Sequence, residues 1–183
     1  GGVVSLTATL TSIFCSKIVT KIGFVLNYAL TDFTMDDYGQ RPATRGPNFP
    51  RGRARPASSL APVLAVRDGV VVLALGGSGG LRIPTAVAQV LVLHVGMKKP
   101  IADAVAAPRF HVTPGGALKL DSALLPAEAE LTARGEVVEG ASPSFGAVTA
   151  IASKKEGQLR VLEPVFDPRK GGAITIGHGA DSH

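Results

Sequence analysis

The residues best suited to chemistry are the glycines of GGSGG, residues 76–80, which lie between a predicted strand and a predicted helix. Glycine lets the backbone approach a ligand closely, and the N–H groups at the start of a helix carry a partial positive charge. Such a turn can bind an oxyanion or a carboxylate, although a plain strand-to-helix turn uses the same residues. No Gly-Lys-Ser or Gly-Lys-Thr follows, so the segment is not a nucleotide phosphate loop.

Two other segments carry polar side chains that could bind a charged ligand. Ser58 and Ser59 are adjacent in RPASSLAP, and their hydroxyl groups could bind an anion or satisfy local turn hydrogen bonds. Asp32 is an isolated acid in a mostly apolar stretch, where its carboxylate could bind an ammonium group or cap a turn. Each pattern alone is more typical of local structure than of a binding site.

Alternating or continuous apolar runs predict strands along much of the chain. The predicted strands cover residues 3–10, 18–26, 60–66, 70–75, 147–152 and 159–162. Asp68-Gly69 separates the third and fourth of these strands and is typical of a tight hairpin turn. The polar segment KKEG separates the last two strands, so we expect a second hairpin near the carboxyl end.

Three helices are predicted after the glycine segment. Pro84 suits the first turn of a helix whose apolar residues recur at three- and four-residue spacing. A shorter helix covers residues 101–106, and a third runs from a cap at Asp121 or Ser122 to Gly135. This order of strands, hairpins and helices predicts an α+β layered fold with antiparallel sheets.

The composition favours one domain over residues 1–183 and argues against a nucleic-acid partner. Of the 183 residues, 45% are hydrophobic and 18% are charged, which suffices to bury one substantial core. The formal net charge is +5, but the arginines concentrate in residues 41–55. The prolines and glycines of that segment are typical of a loop rather than of a nucleic-acid interface.

Signals for membrane insertion, disulfides and metal binding are missing as well. No apolar run approaches the roughly 18 residues of a membrane span, and no signal peptide is expected in the opening GGVVSLTATL. Cys15 is the single cysteine, so no internal disulfide is expected. The histidines lack the spacing of metal ligands. We therefore expect neither a metal ion nor a cofactor.

Six segments in order resemble the small subunit of the γ-glutamyltransferases, or glutathione hydrolases, along almost the whole chain. They are TATLTSIF, GFVLNYALTDFT, RPASSLAP, GGSGGLRI, AAPRFH and FDPRKGG. None is specific alone, but their order and spacing agree with the family. The resemblance implies the αββα four-layer sandwich of the N-terminal-nucleophile hydrolases, incomplete at its N-terminus in this chain.

The resemblance also implies a reaction and residue roles. In that family a precursor cuts itself before a threonine, whose hydroxyl attacks the γ-glutamyl amide of a substrate such as glutathione. Water or an acceptor amine then resolves the acyl-enzyme. Gly79-Gly80 would supply the amides of the oxyanion hole, and Thr9 would support the nucleophile. Asp32 would bind the substrate α-ammonium and Ser58-Ser59 its α-carboxylate. No cofactor is implied. The large subunit of the same precursor would be the partner, in the periplasm or outside the cell.

Departures from the family pattern keep other functions open. We expect the nucleophilic threonine to lie outside this chain, so the chain alone is expected to be inactive. Thr11, Tyr28 and Ala29 stand where the family often has polar amide or acidic residues. The expected affinity for the substrate amine is therefore lower. The alternatives are a related acylase of β-lactam side chains and a non-catalytic fragment or binding member.

The sequence also predicts the roles of two loop-like segments and of two arginines. Residues 35–54 are expected to form a loop or a lid, and residues 176–183 a flexible tail. Arg82 and Arg109 are expected to form structural ion pairs rather than to take part in the chemistry.

Overall fold

The computed structural model describes residues 2–11, 15–34, 46–142, 145–170 and 172–175. The chain divides into two compact units, one formed by Gly1–Thr7 and Leu60–His183 and the other by Ala8–Ser59. The loop or lid predicted over 35–54 lies partly outside the described residues, and the tail over 176–183 lies wholly outside them. A single domain over 1–183 stays a prediction.

Two sheets build the first unit. In chain order, the strands are β1 (Val63–Arg67), β2 (Val70–Ser78), β3 (Phe110–Val112), β4 (Leu118–Leu120), β5 (Val138–Ala141), β6 (Ala147–Glu156) and β7 (Leu159–Val165). One sheet is antiparallel with the order β1-β2-β6-β7, and the other has the order β3-β4-β5. β3 and β4 are antiparallel, whereas β4 and β5 are parallel. The predicted α+β fold is confirmed, with one parallel pair that the strand patterns did not indicate.

Both predicted hairpins are confirmed, although Lys154, Lys155 and Glu156 of the predicted KKEG turn belong to the strand β6. Asp68 and Gly69 have φ values of 50° and 74°, and this left-handed pair matches the right-handed twist of the strands that it joins. The second turn contains Gly157 at φ 60° and joins β6 to β7. β2 is longer than predicted and continues to Ser78, so the sheet ends directly at the remaining glycines of GGSGG.

The helices are α1 (Ile83–Leu91), α2 (Ile101–Ala106) and α3 (Glu128–Ala133). The first two confirm the predictions, with Pro84 in the first turn of α1, and α1 continues as a π-helical turn over Val92–Gly96. The third predicted helix is wrong in its first half, which is a 3-10 helix over Ser122–Ala127. Pro126 explains the difference, because its ring disfavours α-helical geometry in the residue before it.

The core of the first unit lies between the four-stranded sheet and helices α1 and α2. Residues two apart share one face of a strand, which explains why alternate residues of β2 and β6 are buried against the helices. The cluster comprises Leu73, Leu75, Ile83, Ala86, Val87, Val90, Ile101, Ala104, Val105, Val148, Ala150 and Ala152. This packing fixes the end of β2 relative to the start of α1.

The opposite face of the same sheet is apolar and is exposed on β1, β6 and β7, whereas Ala74 on β2 is buried. Leu64 pairs with Ala74, and Ala74 pairs with Ile151, so these residues form a row across three strands. Leu64 and Ile151 are 42% and 44% exposed, and Leu162 on β7 is 61% exposed. Part of this face, with residues 173–175, forms a groove of about 410 Å³. We call it the open sheet face.

The second unit has little regular structure among its described residues. It contains a 3-10 turn over Ala29–Asp32 and an antiparallel bridge between Val19 and Val25. The strand predicted over 18–26 is wrong, because Gly23, at φ 92°, turns the chain back on itself. The strand predicted over 3–10 is also wrong, since these residues form no ladder with any described strand.

Of the helices among the described residues, none combines the length and apolar character that crossing a membrane requires.

Candidate active site

The glycine turn, Gly79-Gly80, joins the end of β2 to the start of α1 through a 3-10 turn over Gly80–Arg82. The φ values of Gly79 and Gly80 are 138° and 62°, a region that side chains rarely adopt. Neither glycine N–H donates a hydrogen bond to a residue that the structure describes. The turn therefore presents backbone N–H groups at a helix start, which is the geometry of an anion site.

Gly146, immediately before β6, packs against the glycine turn. A Cβ on Gly79 would stand 2.7 Å from the Cα of Gly146. A Cβ on Gly146 would stand 2.9 Å from the carbonyl oxygen of Arg82 and 3.1 Å from the Cβ of Ala86. Since real Cβ atoms essentially never come within 3.0 Å of another heavy atom, the backbones of Gly79 and Gly146 touch only because neither residue has a side chain.

A buried ion pair holds Gly146. The side chains of Arg109 and Asp167 are each 1% exposed, and Arg109 Nη1 lies 2.7 Å from Asp167 Oδ2. Arg109 Nη1 also donates to the carbonyl oxygen of Gly146, and Nη2 donates to that of Val105 at 2.6 Å. The ion pair predicted for Arg109 is confirmed. Arg82 forms no ion pair with a residue that the structure describes, so that part of the prediction stays a prediction.

The charge state of this pair follows from its surroundings. Burial alone would raise the pKa of Asp167, but N–H donors of Arg169 and Val148 and the Arg109 guanidinium together hold it below its usual value. Burial lowers the pKa of Arg109 despite the opposing charge of Asp167. Arginine nevertheless stays protonated in proteins. The pair is therefore ionic at neutral pH.

Two polar contacts flank the glycine turn. Lys170 Nζ donates to the Ser78 hydroxyl at 3.1 Å, which places a cation beside the residue that precedes Gly79. On the helix side, the Thr85 hydroxyl donates to the carbonyl oxygen of Arg82 at 3.1 Å and lies 3.0 Å from His111 Nδ1. Burial, followed by the nearby Arg82 charge, lowers the pKa of His111. This imidazole is therefore neutral near pH 7.

The other candidate residues lie in the second unit. Asp32 is exposed and ends the 3-10 turn, Ser58 is exposed, and Ser59 is half-buried. Thr9 is exposed, and its hydroxyl oxygen accepts a hydrogen bond from the N–H of Thr11 at 2.9 Å. The roles predicted for these residues and for the glycine turn stay predictions.

Asn48 connects the segments of Asp32 and Ser58. Its Nδ2 donates to the carbonyl oxygen of Asp32 at 2.7 Å and to the Thr34 hydroxyl at 3.1 Å. Its Oδ1 accepts from the N–H of Ala57 at 2.8 Å, immediately before Ser58. One side chain thus brings the backbones beside two predicted substrate-binding positions together.

Asn48, Gly146 and Asp167 were not identified as site residues from the sequence. Asp167 lies in FDPRKGG, which contributed to the resemblance without an assigned role. Asn48 and Gly146 lie in loop-like sequence, GPNFP and SPSFG, where no periodicity marks them. Their importance depends on contacts with residues distant along the chain. Within the described residues there is no cluster of three or more side chains suited to hold a metal ion.

Comparison with known proteins gives a consistent result. The family model described as gamma-glutamyltranspeptidase matches residues 1–177. Glutathione hydrolase 2 of Arabidopsis thaliana is 31% identical over 190 residues, covering 92% of this chain and 32% of the relative. Acylase ACY 1 proenzyme of Pseudomonas sp. (strain SE83) is 32% identical over 161 residues, covering 87% of this chain and 27% of the relative. The chain therefore spans less than a third of these two curated relatives.

A solved structure agrees with the sequence matches. The crystal structure of the Helicobacter pylori gamma-glutamyltranspeptidase T380A mutant superposes with a TM-score of 0.80 at 30% identity. The match covers 91% of this chain and 93% of that chain. The predicted fold, that of the N-terminal-nucleophile hydrolases, is confirmed by this similarity.

Proposed function

Because this chain belongs to the gamma-glutamyltranspeptidase family, we propose that it is part of an enzyme that cleaves γ-glutamyl amide bonds. The reaction proceeds through a threonine acyl-enzyme and ends in hydrolysis or transpeptidation. Glutathione, which has such a bond, is the proposed substrate. The nucleophilic threonine belongs to a segment outside this chain.

The observation that supports the proposal most directly is the conformation of the glycine turn. Both glycines adopt positive φ values at a strand-to-helix junction, and their N–H groups have no acceptor among the described residues. Donors arranged in advance in this way stabilise the negative oxygen that develops when an amide carbonyl is attacked. We assign the oxyanion hole to Gly79 and Gly80, and the binding of the substrate ammonium and carboxylate groups to Asp32 and Ser58-Ser59.

The open sheet face supports a partner from the same precursor. Apolar side chains of β1, β6 and β7 are exposed on this face, and an apolar sheet face normally packs against a second layer. The curated relatives are about three times longer or more, and ACY 1 is described as a proenzyme. We propose that the remaining part of the precursor covers this face. A periplasmic or extracellular location is proposed with it.

A test uses the full-length protein that contains this chain. Purified protein is incubated with γ-glutamyl-p-nitroanilide, and the release of p-nitroaniline is followed by absorbance. Release that stops when the nucleophilic threonine is replaced by alanine supports the proposal. A protein that cuts itself into two subunits but releases no p-nitroaniline contradicts it.

An acylase is the second candidate, supported by the match to Acylase ACY 1 proenzyme over 87% of the chain. The half-buried Ala29 and the exposed Tyr28 stand near Asp32 in the sequence, where the family often has polar residues. Fewer polar partners weaken binding of an α-ammonium group. Faster cleavage of a β-lactam side-chain amide than of γ-glutamyl-p-nitroanilide, measured on the same preparation, favours the acylase.

A further inference from the structure

The buried ion pair of Arg109 and Asp167 has no place in the chemistry described above. Both side chains are 1% exposed, and removing two charges from water costs much of what their attraction returns. Apolar residues of similar volume often stabilise a core equally well. What distinguishes this pair from an apolar pair is its set of hydrogen bonds to the backbone.

The pair brackets the first residue of β6. Arg109 Nη1 contacts Asp167 Oδ2 and donates to the carbonyl oxygen of Gly146. The same carboxylate oxygen accepts a hydrogen bond from the N–H of Val148 at 2.9 Å. The backbone groups on both sides of Ala147 are thus held by two oppositely charged side chains. This arrangement fixes the path of the chain where it enters β6.

Gly146 packs directly against the glycine turn, so its position constrains that of the turn. Its Cα lies 2.7 Å from the point that a Cβ of Gly79 would occupy, and its other side faces the carbonyl oxygen of Arg82 and the Cβ of Ala86. Gly146 therefore fills the space between the turn and the first residues of α1. Because backbone atoms meet with no flexible side chain between them, a shift of Gly146 must displace Gly79 or the helix start.

We propose that Arg109 and Asp167 are positioning residues that hold the N–H groups of Gly79-Gly80 in the orientation that binds an oxyanion. The link runs from Asp167 to Arg109, from Arg109 to the Gly146 carbonyl, and from Gly146 to the turn. This inference rests on the proposed function, because it assigns to the pair a task in that same reaction.

The proposed role requires an arginine, rather than a lysine, at position 109. The guanidinium uses Nη1 for Asp167 and Gly146, and Nη2 for the carbonyl oxygen of Val105. Its Nε is buried without a hydrogen-bond partner among the described residues, so the contacts of Nη1 and Nη2 set its orientation. A lysine ammonium is a single point donor and cannot reproduce this fork. Arg109→Lys keeps the charge and loses the geometry.

The test compares three variants of the full-length protein. Arg109→Lys and Gly146→Ala alter the link at two places, while Leu73→Ala is the matched control because Leu73 is buried in the same core on the far half of β2. The first readout is kcat and KM for γ-glutamyl-p-nitroanilide. The second is hydrogen exchange of a peptide that covers residues 76–82, which requires no activity.

In Arg109→Lys and Gly146→Ala, kcat should fall by about tenfold or more with KM nearly unchanged, since loss of one oxyanion donor costs about 100- to 1,000-fold. Exchange in residues 76–82 should become faster in both. Leu73→Ala should lower the melting temperature but leave kcat and the exchange of this peptide as in the wild type. Equal effects of all three variants on kcat would mean that Arg109 is merely structural and would overturn the inference.

The two readouts separate this inference from the proposed function. An active wild type whose kcat and peptide exchange are unaffected by Arg109→Lys overturns the positioning role and leaves the proposed function intact. If the wild type cleaves no amide substrate, the proposed function fails, and the exchange measurement decides the positioning of the turn by itself. Should Arg109→Lys fail to fold, Asp167→Asn tests the pair in its place, because it removes the charge that Arg109 Nη1 contacts while keeping the size of the side chain.

Discussion

The Cα of Gly146 lies 2.7 Å from the position that a Cβ of Gly79 would occupy, so the two glycines pack backbone against backbone. Gly80, the next residue, has nothing within 4 Å of its corresponding position. The two glycines of the turn therefore differ in the space that a side chain would have. Gly79 is constrained by space and by conformation, whereas Gly80 is constrained by conformation alone.

This difference predicts unequal effects of alanine. Gly80→Ala should lower the free energy of unfolding by about 1–2 kcal/mol, the cost of a left-handed conformation. Gly79→Ala should add about 1–3 kcal/mol for overpacking against Gly146. Urea denaturation of the two variants measures the difference. Equal losses of stability would show that the contact between Gly79 and Gly146 relaxes without cost.

Asp32→Asn should raise KM for a γ-glutamyl substrate while kcat changes little, because a carboxylate that binds the substrate ammonium acts in the ground state and the transition state alike. A lost hydrogen bond to a charged group costs about 1.5–3 kcal/mol, or roughly a 10- to 150-fold increase in KM. Asp68→Asn is the matched control, since Asp68 lies in the β1–β2 turn at φ 50°, which asparagine tolerates. Identical KM values in Asp32→Asn and Asp68→Asn would refute the role of Asp32.

Asn48→Ala should also raise KM, although Asn48 is assigned no contact with substrate. It removes the side chain that links the Asp32 carbonyl to the N–H of Ala57, so both substrate-binding segments lose a common support. Asn27→Ala is the control, because within the described part of the chain the Asn27 side chain accepts a local hydrogen bond from the N–H of Ala29 at 3.0 Å. Steady-state kinetics should show the larger KM in Asn48→Ala, and the reverse order would contradict the linking role.

The lowered pKa of His111, caused by burial and then by Arg82, predicts a pH dependence of stability. The unfolded chain binds a proton below about pH 6.5, where the folded protein still resists protonation. The contribution to stability is therefore complete above about pH 6.5 and is lost as the pH falls towards the folded-state pKa. His111→Gln should flatten this part of the curve of unfolding free energy against pH.

Thr85→Val controls for the hydrogen bond to His111. It removes the hydroxyl but keeps the imidazole, its burial and the Arg82 charge. The free energy of unfolding should therefore fall at every pH, while its slope against pH below about 6.5 stays as in the wild type. A wild-type slope in His111→Gln would show that another group causes the acid sensitivity.

The open sheet face predicts a difference between the isolated chain and the full-length protein. The exposed apolar residues of this face, Leu64, Ile151 and Leu162, should bind a dye that fluoresces on apolar surfaces. The full-length protein should bind much less of the dye if its remaining part covers this face. Equal fluorescence per mole would contradict the proposed partner, and Ile151→Ser should reduce the signal of the isolated chain.

The sequence by itself determined the elements whose cause is local. Asp68-Gly69 specifies the β1–β2 turn because the hairpin requires left-handed φ values at both positions. Pro84 and the periodic apolar residues after it specify α1 in the same way. The ordered motifs also led to the correct family, and the position of the glycine turn between a strand and a helix was predicted correctly from its composition.

Only the tertiary structure decided which residues far apart in the chain support that turn. The strands predicted over 3–10 and 18–26 failed because alternation alone does not supply a neighbouring strand, and hydrogen bonds between strands are what stabilise them. Likewise, nothing near Arg109 in the sequence indicates Asp167 or Gly146. Their contacts arise only when the core of α1, α2 and the sheet has packed, because burial and distance are properties of the whole fold.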